Sequence, residues 1–539
     1  MSGRTPGGTS RGGPAGTSDD ACSGEHRARG LLIAGTSSDA GKSLIVAGIC
    51  RVLARRGISV APFKAQNMSN NSMVCGDGAE IGRAQYLQAQ AAGVPAESAM
   101  NPVLLKPGTD RRSFIVVRGR PAGTLEAGEY VGGRRQLADA AFAAYRELAQ
   151  RFDVVVCEGA GSPAEINLRA GDYVNLGLAR EFDLPVVVVG DIDRGGMLAA
   201  LFGTWALLDA EDRRLIVAFV VNKFRGDVEV LRPGLEELTR RTGKPFFGVL
   251  PWLPGMWLDS EDSLVVGRWQ PLGAGSGQDA DDAGTPGAAG VTLRVAVVRF
   301  PRVSNATDVD ALAAEPGVDV LVTDSPGECA AADLLVLPGT RATVGDLAWL
   351  RARGIADVVE RRATAGRPVL GICGGYQMLA GTLFDDVESG AGAVPGLGLL
   401  PVEVRFGQDK VLRLSTGTWR GHQVRGYEIH HGKVELEGWS PYLRVGGVTG
   451  EPNRYGWTAE PFLGGWRAGQ VWGTLWHGAL ECDGFRRAWL AEVAAGAGRD
   501  WRPVAGAPGY ADRREAMLDA VADAIEANLD VDALIGLAR

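Results

Sequence analysis

The chain has 539 residues, 45% hydrophobic and 22% charged, a balance that suits a folded protein and argues against global disorder. Its 64 acidic against 56 basic residues give a net charge of −8, which disfavours a broadly basic nucleic-acid binder. The length predicts two or more domains, no apolar run reaches the roughly 18 residues that span a bilayer, and seven scattered cysteines make no disulfide framework.

Residues 1–29 are rich in Gly, Ser, Thr, Pro and Arg and lack an apolar stretch, so a disordered tail without a secretory core is expected. With no spanning segment, this points to a cytoplasmic protein. Residues 30–268 then alternate short apolar runs with amphipathic stretches. The runs at 31–34, 58–61, 154–156, 186–189 and 216–221 are continuous, as in strands buried on both faces of a parallel sheet. Residues 269–291, rich in Gly, Ala and Asp, read as a linker. The βα rhythm restarts with the runs at 293–298, 334–337 and 368–372, predicting a second α/β domain over 292–485. Residues 486–539 are expected to be helical, with Met517, Val521, Ile525 and Leu529 on one stripe of a helix over 513–537.

The first apolar run leads into Gly35-Thr36-Ser37-Ser38-Asp39-Ala40-Gly41-Lys42-Ser43, followed by a helix-like run. Such a turn aims backbone N–H groups at phosphate oxygens, with Lys42 on the outer phosphates and the Ser43 hydroxyl on Mg²⁺. The first glycine sits one residue early for the usual G-x-x-x-x-G-K-[ST] spacing. Gly35, Thr36, Gly41, Lys42 and Ser43 are therefore candidates for binding ATP. This spacing resembles the dethiobiotin synthetase-like branch of P-loop proteins, which activate carboxylates by phosphorylation. The resemblance implies an acidic metal ligand after a later strand, and Glu158 occupies that place, making Ser43 and Glu158 the candidate metal pair. Asp191 and Asp193 follow the 186–189 run at the same sheet edge. Asn222 and Lys223 close the next strand and are candidate contacts to the nucleotide base.

In the second domain, Gly371-Ile372-Cys373-Gly374-Gly375-Tyr376-Gln377 places a cysteine between glycines at a strand-to-helix turn. A nucleophile on such an elbow can be presented with adjacent N–H groups facing an oxyanion. Among five histidines, His477 ends a strand-like segment about a hundred residues later. That order resembles class I glutamine amidotransferases, which release ammonia through a thioester. The resemblance implies catalytic Cys373 and His477, an oxyanion loop at Gly339 and Gly374, and Gln377 holding glutamine. Class I enzymes carry Glu two residues after the histidine, whereas position 479 is Ala. The residue orienting His477 is thus open, Glu481 being the acidic group at hand.

Three further segments are specific: Phe63-Lys64-Ala65-Gln66-Asn67-Met68-Ser69-Asn70-Asn71-Ser72, Asn101-Pro102-Val103-Leu104-Leu105-Lys106-Pro107, and the run from Glu158-Gly159-Ala160-Gly161 to Ile166-Asn167-Leu168. With Gly426-Tyr427-Glu428-Ile429-His430, this ordered set resembles the cobyric acid synthase family of cobalamin-pathway amidotransferases over roughly residues 30–539. The resemblance implies ATP- and glutamine-dependent amidation of a small corrinoid, with cobalt arriving on the substrate. Its alternatives are the a,c-diamide synthase and a nucleotide-dependent regulator with a non-catalytic amidotransferase domain. Lys64, Gln66, Asn67, Asn70, Asn71, Asp191 and Asp193 are the expected substrate contacts, since amide side chains can both donate to a carboxylate and accept from an amide. Self-association is left open.

Overall fold

Alternate residues of the first apolar runs feed two different cores. Leu32, Ala34, Val155, Cys157, Val186 and Val188 face one, while Leu31, Ile33, Val154, Val156, Val187 and Val189 face the other. This is why the runs are continuous rather than alternating. The computed structural model describes residues 29–108, 112–126, 134–253, 267–268, 292–436 and 459–538; the tail up to residue 28 and the expected linker lie outside them.

The six strands order as Phe246–Pro251, Ile216–Phe224, Val186–Asp191, Arg29–Gly35, Val154–Glu158 and Val60–Phe63, every neighbouring pair parallel. Their C-terminal ends bring Gly35, Glu158, Asp191 and Asn222 to one edge of the sheet, where open α/β folds place ligands. In the second unit Val318–Thr323, Leu293–Val298, Leu334–Leu337, Val369–Ile372 and Val471–Thr474 form a parallel core. Antiparallel strands extend it at both sides, Gly267–Arg268 among them, so the chain has reached the second sheet before residue 269. A long hairpin, Val402–Trp419 with His422–Leu436, stands beside this sheet. The protein is thus an α/β molecule with a parallel-sheet unit followed by a second α/β unit built on a mixed sheet with a parallel core.

The C-terminal segment divides between the two units. Helix Asp483–Gly496 buries Phe485 and Trp489 in the second core, whereas Met517, Val521, Ile525 and Leu534 complete the first. The expected single helix over 513–537 is two helices, Tyr510–Asn528 and Val531–Ala538. Leu529 leaves helical geometry to bridge Gly248, and Asp530 N donates to Phe247 O at 2.7 Å. Asp530 then accepts from Ala533 N at 2.9 Å, a cap for the last helix.

Candidate active site

The phosphate turn joins strand Arg29–Gly35 to helix Lys42–Arg55. Gly41 sits at φ +91°, and a Cβ there would fall 2.1 Å from Asn222 Nδ2. Glycine is required by conformation and by space. Asn222 Nδ2 donates to Ala40 O at 2.9 Å, and Lys223 Nζ donates to Asp39 O and Asp191 Oδ2, each at 2.7 Å. These two residues therefore brace the turn from strand Ile216–Phe224, two places along the sheet. Lys42, 7% exposed, donates to Ser37 O at 2.9 Å and Gly161 O at 3.4 Å, curling over the loop that phosphates would enter.

Glu158 is fully buried. Its Oε1 accepts from Ser43 Oγ and from Lys64 Nζ, both at 2.8 Å, and its Oε2 from Gln88 Nε2 at 2.6 Å. Burial would raise its pKa, but Lys64, Gln88 and Ser43 together hold the carboxyl below its ordinary range. Ser43 and Glu158 thus meet, as the sequence suggested. Their hard oxygen donors fit a magnesium ion, and Lys64 neutralises the carboxylate in the same cluster.

In the second unit Cys373 stands between strand Val369–Ile372 and helix Gly374–Met378, at φ 49° and ψ −108°. A non-glycine residue held there is strained, and its amide is tied to Thr474 O at 2.8 Å. Its thiol donates to Ile429 O at 3.9 Å and couples electrostatically to His477, whose Nδ1 lies 2.6 Å from Asp308 Oδ2. The other Asp308 oxygen accepts from Gly478 N at 2.7 Å. Burial alone would lower the His477 pKa; the charges of Asp308 and Cys373 outweigh it and raise it to about 10. Tyr427 stacks on the imidazole at 5.4 Å and exchanges backbone hydrogen bonds with His477 at 3.0 and 2.9 Å.

Asp308 is the residue the sequence reading missed. Glu481 does not orient His477. It accepts from Arg83 and, at 2.7 Å, from Arg514, and these guanidiniums overcome burial to hold it at about 2. The loops at Gly339 and Gly374 meet as expected: a Cβ on Gly374 would strike Thr340, and one on Gly339 would fall 3.0 Å from His477 Cε1 and 2.8 Å from Ser304 O. Gln377, 2% exposed, accepts from Thr343 Oγ1 at 3.0 Å on the wall of the cavity that holds Cys373.

The amide-rich segment departs from expectation. Asn67 and Asn71 are 2% and 4% exposed and bound to protein, so both serve the framework here. Asn67 Nδ2 donates to Gln85 Oε1 at 3.0 Å. Asn71 Oδ1 accepts from Ala306 N at 3.2 Å, while Asn305 Oδ1 accepts from Ser72 N at 2.9 Å. This clasp grips the turn that leads into Asp308. Asn70 lines the Cys373 cavity, Lys64 pairs with Glu158, and Gln66 accepts from the Tyr173 hydroxyl. Asp191 is 7% exposed and bound to Lys223, leaving Asp193 nearer solvent beside Arg225.

A hairpin, Ser72–Val74 with Glu80–Gly82, joins the two units. Val74 packs on Tyr427 and Ile429. Glu80, fully buried, pairs with Lys106 and with Lys410 of the long hairpin. Burial would raise the Glu80 pKa, but the two ammonium groups drive it well below the carboxylate range; burial in turn brings Lys106 down to about 8 despite Glu80. Helix Arg83–Ala92 continues from the hairpin and links the two units, through Arg83 to Glu481, four residues after His477, and through Gln88 to Glu158.

Two family descriptions match in the same order as these units. A "CobQ/CobB/MinD/ParA nucleotide binding domain" covers residues 31–264 and a "CobB/CobQ-like glutamine amidotransferase domain" covers 294–485. A cobyric acid synthase from Cutibacterium acnes is 63% identical over 95% of this chain and 100% of its own length. Those of Mycolicibacterium gilvum and Streptomyces avermitilis are each 55% identical, over 95% and 94% of this chain and 96% and 95% of theirs. The chain belongs to the cobyric acid synthase family. Membership makes it a glutamine-dependent amidoligase of cobalamin biosynthesis. No helix among the described residues is long and apolar enough to cross a membrane.

Proposed function

We propose that the protein uses ATP and glutamine to amidate the b, d, e and g carboxylates of adenosylcobyrinic acid a,c-diamide, giving adenosylcobyric acid in the cytoplasm. One observation carries the reading: a Cys373–His477–Asp308 relay in one unit and a Lys42 phosphate loop in the other, joined by helix Arg83–Ala92.

Cys373 Sγ attacks the glutamine carboxamide carbon, and His477, made basic by Asp308, takes the thiol proton. The amides at Gly339 and Gly374 receive the developing oxyanion. His477 returns its proton to the leaving nitrogen, and ammonia departs from a Cys373 thioester. A water deprotonated by His477 then releases glutamate. In the first unit a substrate carboxylate attacks the γ-phosphoryl of ATP, forming an acyl phosphate and ADP. Lys42 neutralises charge on the transferring group. Ser43 and Glu158 would hold a magnesium ion, which supplies further charge neutralisation there. Ammonia adds to the acyl carbon, loses a proton, and phosphate leaves as the amide forms.

Cys373→Ala should abolish glutamine-driven amidation while added ammonium still supports it, because the thiol and the phosphate loop lie in separate units. Full glutamine-driven activity in that variant would remove the thioester route. Failure of ammonium to rescue a folded variant would remove the division of labour.

A further inference from the structure

Asn67 and Asn71 are hydrogen-bonded within the framework, which turns attention to other surfaces for the corrinoid. A cavity of about 310 Å³ opens beside the phosphate loop, walled by Ser38 and Gly161 from the two loops around Lys42, by Gln66 and Tyr173, and by Met68 and Leu168. Gly161 also accepts from Lys42, so the cavity ends where a phosphoryl group would be transferred. Its wall is mostly carbon, and its rim is unusual. Eight large apolar side chains are exposed among the described residues, and Met68 (54%), Ile166 (55%) and Leu168 (46%) come from the two segments bordering this cavity. Scattered apolar side chains need no explanation, but two on the wall of one cavity beside a phosphate loop, with Ile166 two residues before Leu168, mark a ligand surface.

We propose that this cavity and its rim bind the corrinoid: the edge of the macrocycle lies on Met68, Ile166 and Leu168, and one carboxylate arm enters towards Ser38, Gly161 and Lys42. The proposal rests on the corrinoid reading given above. The whole macrocycle is too large for the cavity, but a single acetate or propionate arm fits. A carbon rim also suits the task, since apolar contact is non-directional. It can hold the ring in several orientations, whereas a net of fixed hydrogen bonds would register only one. Gln66 and Tyr173, hydrogen-bonded to each other on the wall, offer an amide and a phenol to whichever arm enters.

The test is the binding and turnover of adenosylcobyrinic acid a,c-diamide by the full chain carrying Met68→Ser or Leu168→Ser, with Leu207→Ser as control. Leu207 is 57% exposed and lies outside this cavity. Each rim variant should raise the corrinoid KM and Kd about five- to tenfold with the KM for ATP unmoved, Leu168→Met should restore them, and Leu207→Ser should match the wild type. If the wild type binds the corrinoid and both rim variants bind it equally well, this site is wrong and the functional reading survives. If the wild type binds no corrinoid in equilibrium dialysis, the functional reading itself falls and takes the site with it.

Discussion

Replacing Asp308 by asparagine keeps the shape of the side chain and removes its charge. The imidazole of His477 stands at about 10 instead of its ordinary 6.5, with Asp308 and Cys373 raising it against burial. A displacement of that size favours the protonated ring by roughly 5 kcal/mol. If Asp308 supplies half or more, its loss takes about 2–3 kcal/mol from the imidazolium, or roughly 30- to 200-fold in rate. An asparagine that presents its amide N–H to Nδ1 would also select the wrong tautomer, pushing the loss towards about 10⁴-fold. Glutamate release measured without the corrinoid reads this step directly. The alkaline limb of its pH profile should move down from near 10 towards 6.5, because the variant's imidazolium deprotonates sooner. The stability contribution follows the same direction. A raised folded-state pKa stabilises fully below 6.5 and fades as pH rises through about 10, so the variant's deficit in Tm should be largest in acid and shrink on the alkaline side. An Asp308→Asn protein that hydrolyses glutamine within threefold of the wild type, with an unmoved alkaline limb, would refute the relay.

Lys42→Ala should stop amidation from glutamine and from ammonium alike, since both need the activated carboxylate; near-normal ammonium-driven turnover would refute its role. Asn71→Ala, although it lies in the nucleotide-binding unit, should slow glutamine hydrolysis about three- to tenfold by freeing the turn before Asp308, a loss on the order of 1 kcal/mol. Asn71→Asp, which keeps an accepting oxygen, should recover most of it, and a wild-type rate in Asn71→Ala would count against the clasp.

Most strands of the two parallel cores were legible because burial on two faces leaves continuous apolar runs, Phe246–Pro251 and Val318–Thr323 being the ones passed over, and the phosphate loop and cysteine elbow because both chemistries are local in sequence. Asp308 was not. It lies 169 residues from His477, in a short polar turn with no periodicity, and only the tertiary fold brings it to Nδ1. The amide-rich segment is ambiguous for a related reason. Asn, Gln and Ser serve equally to read a ligand or to satisfy buried backbone groups between domains, and burial alone separates the two uses. The break at Leu529 was hidden because its apolar side chain continues the helical stripe while its backbone turns aside to the sheet edge at Gly248.

The central claim, amidation of four corrinoid carboxylates driven by glutamine and ATP, is tested most directly by mass spectrometry of adenosylcobyrinic acid a,c-diamide incubated with the protein, glutamine and Mg·ATP. The account predicts partially amidated corrinoids appearing in sequence and converging on the hexa-amide, with the propionate that later receives aminopropanol untouched. An a,c-diamide that gains no further amide, with or without ATP hydrolysis, would contradict it.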